Sequence, residues 1–486
     1  MKRKIVFLLL IILLISSPLC PEEIRLGDAV QKALAVNHGL KSNKHEVARL
    51  TLQKKEAFTQ YLPRVNFKAS YTHLDNPIDL ELESLRQLII KLETGGQLAD
   101  INLQNLLLKG VPLSAMEKSA YAAGITSTLE GVIPSFNIHV LDQNIQRASL
   151  EATLPIWIGG KIQALNKAAR LNLKEGQTNL ELTAEQVRAD TTEIYMLNKL
   201  LEEVVSLYKE AEIGIQDHKN KAESLFNAGL IAKYQVLRAK VALSDAQANR
   251  QKAEENLKTA RSLLGNMLNI ENIDTITLTT PLTYEKITED KTTLWNWVKE
   301  SNGILKKMAI KKELVNVKKR GDLGDYLPQI YAFGKYELTT KDLSLLDPKW
   351  AVGVGVNFNL FSSGEKYFKL KADNQLIAEV SEKALEVEDM LKKLTDKLYY
   401  SATAELHCID TFENRREEAT ENLKLAESRF SSGLGISLEV VDANLLLLKI
   451  NVERLQAIYN YTTLWLQINR LGQNLEKSIH TLEGTK

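Results

Sequence analysis

The sequence predicts a mixed α and β membrane protein, mostly α by residue count, built from two tandem structural repeats whose strands belong to a β-barrel shared between subunits. Three observations predict it. The second half restates the first at fixed offsets, short segments alternate apolar and polar residues with period two, and very long stretches run without proline.

The amino terminus reads as an export signal. Lys2, Arg3 and Lys4 form a charged start, Ile5 to Ile15 an apolar run, and Ser16, Ser17 and Pro18 follow. That run is about half of the roughly 20 residues a membrane helix needs, and no later run reaches that length. Removing residues 1–20 takes three of the 62 basic residues and leaves 59 against 61 acidic ones, which gives no electrostatic case for nucleic acid. With 44% hydrophobic residues, the chain can bury a real core. The two cysteines are Cys20, at the signal boundary, and Cys408, inside a helical stretch, so no internal disulfide is expected in the mature chain. Lipidation would fall on Cys20, but Ser17, Pro18 and Leu19 match such a site poorly, with bulky Leu19 where a small residue belongs.

The repeat is readable residue by residue. Asn37, Leu40, Tyr61, Leu62 and Pro63 reappear as Asn302, Leu305, Tyr326, Leu327 and Pro328, an offset of 265. Further on the offset is 204: Gly160 matches Gly364, Tyr195 matches Tyr399, Phe226 and Gly229 match Phe430 and Gly433, and Arg250 matches Arg454. The difference means that the first copy carries about 61 extra residues, an insertion at 75–134. The expected organisation is a signal at 1–20, a first repeat at 21–270, a Thr-rich irregular link at 271–291, a second repeat at 292–472 and a tail at 473–486.

Each copy supplies two strands. From Trp350 to Leu360, Trp350, Val352, Val354, Val356, Phe358 and Leu360 alternate with Ala351, Gly353, Gly355, Asn357 and Asn359. The length approaches the 9 to 11 residues with which a tilted strand crosses a bilayer. Val65 to Thr72 and Arg147 to Leu154 alternate similarly, and Gln329 to Leu338 is the least regular. Gly353 and Gly355 sit inside an alternating strand, not at the strand-to-helix turn that a phosphate loop occupies. An apolar face could also pack inward in a soluble sandwich. Four strands cannot close a barrel alone, however, and unpaired edges cannot be satisfied in hydrocarbon, so membrane-spanning strands here require several subunits to share one barrel.

The helices are too long for an ordinary domain. Lys161 to Ala228 lacks proline and is rich in Ala, Leu, Glu and Lys; its 68 positions extend about 100 Å as a helix. Gly229 ends it, and helix resumes from Lys233 to Leu268. The second copy repeats this with Glu365 to Ser432, Gly433, and Leu438 to Leu471. Gly214 is a candidate bend. Within the insertion, helices are expected near Leu80 to Leu92 and Leu98 to Leu108, split by Gly95 and Gly96.

These residues resemble the outer-membrane efflux protein family typified by TolC, over essentially the whole mature chain. The resemblance rests on Tyr61-Leu62-Pro63, on Leu154-Pro155-Ile156-Trp157-Ile158-Gly159-Gly160-Lys161, and on Phe226-Asn227-Ala228-Gly229-Leu230. The second copy offers Phe361-Ser362-Ser363-Gly364, Phe430-Ser431-Ser432-Gly433-Leu434 and Leu438-Glu439-Val440-Val441-Asp442-Ala443. It implies a homotrimer in the cell outer membrane, with a twelve-stranded barrel and a long α-helical barrel forming a periplasmic tunnel. A periplasmic adaptor (membrane fusion) protein and an inner-membrane pump, proton-driven or ATP-driven, would be its partners in a tripartite efflux or type I secretion system. The turns at Gly229-Leu230 and Gly433-Leu434 would be adaptor-docking sites. Glu439 and Asp442, three residues apart on one helix face, would form two acidic rings at the pore constriction. The first copy has Gln235 and Arg238 there. Gly435 stands where relatives often carry a polar or basic latch residue, and the insertion would lie outside the cell, where it would either cap the mouth or decorate it.

Catalysis finds no support: His45-Glu46 is followed by Arg49 where a zinc protease helix needs its second histidine, and no cofactor motif is present. The competing class is an extended coiled-coil surface or periplasmic tether, which would use the helices for reach but would not need the strands.

Overall fold

The structure is a computed structural model and describes residues 22–339, 343 and 347–484. The signal segment and Cys20 lie outside the described residues. Strand β1 (Glu22–Ile24) leads into helices α1 (Leu26–Val36) and α2 (His38–Thr59), then strand β2 (Arg64–His73). The insertion holds β3 (Ile78–Glu81), α3 (Glu83–Lys109), α4 (Ala115–Val132) and β4 (Asn137–Leu141). Strand β5 (Asn144–Ile158) runs to α5 (Lys161–Asn227), α6 (Lys233–Leu268) and the short β6 (Ile276–Leu278). The order recurs as α7 (Lys291–Ser301), α8 (Gly303–Leu323), β7 (Gln329–Glu337), β8 (Trp350–Asn357), α9 (Glu365–Ser431) and α10 (Ser437–Leu471), with α11 (Leu475–Leu482) at the end. Helix accounts for 72% of the structure, so the mostly-α expectation holds.

The repeat has a physical basis at its first matched position. Asn37 Oδ1 accepts the Leu40 amide at 2.9 Å, and Asn302 Oδ1 accepts the Leu305 amide at 3.2 Å. Each asparagine thus satisfies one of the orphan donors at the start of a helix, α2 in one half and α8 in the other. The two long helices have the same length, 67 residues each.

The described residues fall into two compact units. One is helical: the residues up to Ala57, Ala164–Arg320 and from Tyr367 onward. Its main core gathers Leu26, Val30, Tyr195, Met196, Leu264, Leu268, Ile458 and Tyr461. Tyr195 is fully buried; its hydroxyl donates to the Ile24 carbonyl at 2.9 Å and accepts the Thr280 amide at 3.0 Å. Tyr461 treats the same link alike, donating to the Glu285 carbonyl and accepting the Ile287 amide, both at 2.8 Å. The link is therefore less irregular than expected: β6 pairs in parallel with β1, and two buried tyrosines satisfy backbone groups around it. Gly214 does not interrupt α5; a Cβ there would stand 2.8 Å from Asn444 Nδ2 of α10, so its missing side chain makes room for the neighbouring helix.

The other unit, Phe58–Gln163 with Gly321–Lys366, holds an antiparallel sheet of order β2-β5-β7-β8. Register aligns one apolar face across all four strands. Phe67 lies opposite Leu150, Leu150 opposite Tyr336, and Tyr336 opposite Trp350. The other face pairs Lys68 with Ser149, Glu151 with Lys335, and Phe333 with Gly353. Lys68 and Glu151 form a 2.6 Å ion pair there. Glycine at 353 and 355 leaves space that the rings of Phe333 and Tyr331 fill, which explains the small residues on that side of β8. Where the halves meet, the backbones of Gly159 and Gly324 approach so closely that a Cβ on Gly159 would stand 2.5 Å from the Gly324 carbonyl oxygen.

The insertion departs from expectation. Helix α3 runs unbroken through Gly95 and Gly96, and α4 lies where no helix is expected. Each glycine costs about 1 kcal/mol relative to alanine, which weakens a helix without ending it when flanking leucines favour the helix and one side is buried. Helix α4 is rich in Ala, Ser, Thr and Gly and has no clear apolar period, but its start is written in the sequence. Ser114 and Glu117 form a reciprocal capping box.

Candidate functional site: an exposed apolar sheet and paired helical turns

The apolar face of the sheet is uncovered. Val352, Val354 and Val356 are 72%, 65% and 64% exposed, and Val65, Phe67 and Tyr71 on β2 are similarly bare, whereas Ala351, Gly353 and Gly355 are half-buried. A water-soluble sandwich would have the apolar face inside. Both edges of the sheet, β2 and β8, lack a partner strand within the described residues. No described helix is long and apolar enough to cross a membrane.

In the helical unit, two turns close the two long hairpins. Gly229 and Gly433 adopt φ of 74° and 73°, the left-handed region that glycine enters without penalty. The amide of Leu230 donates to the Leu225 carbonyl, and that of Leu434 to the Arg429 carbonyl, each at 2.9 Å, so both helices end in the same cap. Leu230 and Leu434 are exposed at the turns. Beneath them Ala222, Val236 and Ala239 of the first hairpin pack with Ala426, Phe430, Val440 and Ala443 of the second.

Glu439 and Asp442 stand exposed on α10 one turn apart, while Val440, Val441 and Ala443 between and beside them are buried. They share the outward face, as their spacing requires. A basic neighbour is present too: Arg429 Nε lies 3.6 Å from Glu439 Oε2, and Arg429 Nη2 donates to the Leu434 carbonyl at 3.4 Å. Arg429 thus ties the acidic residue to the turn. Gly435 contributes by its smallness, since a Cβ there would stand 3.1 Å from Glu439 Oε2.

The broken symmetry between copies also has a structural use. Gln235, the counterpart of Glu439, accepts the Ser437 amide at 3.2 Å, capping the first turn of α10 from the neighbouring hairpin. His218 of α5 is buried, its ring centroid 4.5 Å from that of Phe430 and its Nε2 2.7 Å from Ser437 Oγ. Burial, with Lys221 nearby, pushes its pKa down to about 4, so the imidazole is neutral at pH 7. Sequence reasoning missed His218, Ser437 and Arg429. A single histidine in a long helix carries no spacing signal, and the partners lie far away along the chain. Among the described residues, no group of acidic, histidine or cysteine side chains could hold a metal ion.

One chain thus carries an exposed apolar sheet and paired long hairpins, and comparison with known proteins finds the same combination. Residues 139–269 match the family model described as outer membrane efflux protein. That match lies within the first repeat and agrees with the resemblance read from the sequence. No curated protein matches the sequence. Among solved structures, the fold is similar to the outer-membrane channel OprN, with a TM-score of 0.68 at 13% identity over 92% of this chain and 90% of that one. It is similar also to the CmeC outer membrane channel of Campylobacter jejuni, with a TM-score of 0.66 at 14% identity over 95% and 89%. VceC of Vibrio cholerae, an outer membrane protein, gives 0.67 at 14% identity over 92% and 96%.

Proposed function

We propose that the chain is one subunit of a homotrimeric conduit through the outer membrane, working with a periplasmic adaptor and an inner-membrane pump in tripartite efflux or type I secretion. The observation that carries this reading is the sheet: its apolar face is exposed and both of its edges are unpaired among the described residues. In hydrocarbon every backbone donor and acceptor needs a partner, so β8 of one copy must pair with β2 of the next. Three copies of four strands give twelve, within the range of bacterial barrels. The two halves, 21–270 and 292–472, then act as duplicated units that each supply two strands and one long hairpin. The turns at Gly229-Leu230 and Gly433-Leu434 would meet the adaptor, since exposed leucines on rigid turns suit an apolar contact with a helical partner. Glu439 and Asp442, copied around a threefold axis, would set the charge of the narrowest point.

A tether reading leaves the exposed valine face unexplained. The test is to express the full chain, isolate outer membranes, and measure both oligomeric state in detergent and conductance in planar bilayers. A heat-sensitive oligomer that conducts supports the conduit. A water-soluble monomer that extracts without detergent refutes it.

A further inference from the structure

Helix α3 of the insertion is covered on one side only. Ile90 and Thr94 are buried, the Thr94 and Thr126 hydroxyls lie 3.3 Å apart, and Arg86 Nε donates to the Ile133 carbonyl at 2.9 Å. The opposite side presents Leu85, Ile89, Leu92, Gly96, Ala99, Leu103 and Leu106, every one exposed, with Leu92 at 68% and Leu103 at 53%. Nothing among the described residues lies within 4 Å of the place a Cβ would take on Gly96.

These seven positions advance by alternating steps of four and three. That is the 3.5-residue repeat of a coiled-coil seam, kept over about three heptads, and it fits a second helix. Gly96 and Ala99 at its middle let another backbone come close. Two observations favour another copy of this chain over a lipid surface as the occupant. Glu93 and Asp100 on one border of the seam are exposed and balance the exposed Lys91 and Lys109 on its other side, so the seam lacks the excess of Lys and Arg with which a helix lies on an anionic membrane. The insertion also leaves the sheet from the end of β2, the free edge at which the shared barrel brings in the neighbouring subunit.

We propose that α3 packs along this seam against α3 of neighbouring copies, so that the insertions of one assembly form a single helical cluster. The inference rests on the oligomeric conduit reading and goes beyond it, because the barrel alone would close without any contact between insertions.

The test uses the full-length chain carrying Cys408→Ala as baseline, with Leu92→Cys or Leu103→Cys on the seam and Lys91→Cys as an exposed control off it. Each is purified in detergent, sized, and mildly oxidised. The expected result is disulfide-linked dimers from both seam variants, with none from the control or the baseline. An intact oligomer without seam cross-links overturns the inference while leaving the conduit reading standing. So does quenching by brominated lipid, in proteoliposomes, of a fluorophore attached to the thiol of either seam variant, which would mark a membrane-lying helix. A baseline chain that is monomeric overturns the conduit reading, and the cluster with it.

Discussion

His218 Nε2 and Ser437 Oγ lie 2.7 Å apart, joining the first helical hairpin to the second at a buried point beneath the turns. Ser437 opens α10, and Gln235 holds its amide from the same side. The start of the helix that bears Glu439 and Asp442 is therefore fixed by residues of the other hairpin.

This bond should be pH-sensitive. His218 has its folded pKa depressed to about 4, against about 6.5 when unfolded. Between those values the unfolded chain takes up the proton and the folded chain does not, so the neutral ring's contribution is complete above about pH 6.5 and is lost as pH falls toward 4. At 1.36 kcal/mol per unit the loss is on the order of 3 kcal/mol. Thermal unfolding of the purified chain across this window should show a steeper decline than that of His218→Leu, with the difference isolating this residue. Parallel curves would remove the assignment.

The turns should be sensitive to charge and to added side chains. Leu434→Asp and Leu230→Asp should reduce export strongly while leaving the oligomer intact, because the exposed leucines make no core contact. Gly433→Ala should cost about 1 kcal/mol through the left-handed backbone alone. Export assays read beside oligomer yield separate the two effects, and full export by both aspartate variants rules out docking at the turns.

Selectivity should follow the acidic pair and its basic neighbour in opposite directions. Glu439→Ala with Asp442→Ala should lower the preference for cations, whereas Arg429→Ala should raise it by freeing Glu439 from its ion pair. Reversal potentials in planar bilayers under a salt gradient measure this; a permeability ratio unmoved by all three changes would place the constriction elsewhere.

On the sheet, Val354→Arg should cost about 2 to 4 kcal/mol if its side chain meets the bilayer midplane, and assembled oligomer should fall accordingly. Lys335→Gln on the opposite, polar face should leave assembly near normal. Equal effects of the two would remove the assignment of the valine face to lipid.

The elements that local chemistry dictates are legible in the order of residues. Alternation places β8, proline-free composition places the long helices to within a residue or two, and the matched Asn37 and Asn302 mark the same cap in both halves. The insertion is legible only in part: Gly95 and Gly96 suggest a break that burial of Ile90 and Thr94 overrides, and the Ser114-Glu117 box that starts α4 is present but weak beside its featureless composition. Which distant groups meet is settled by packing instead. The pairing of Phe67, Leu150, Tyr336 and Trp350 on one face, the bond between His218 and Ser437, and the approach of Arg429 to Glu439 depend on strand register and helix packing, which bring together residues separated by ten to more than two hundred positions. Periodicity records the face a side chain occupies along its own element; it carries no record of what stands across from it.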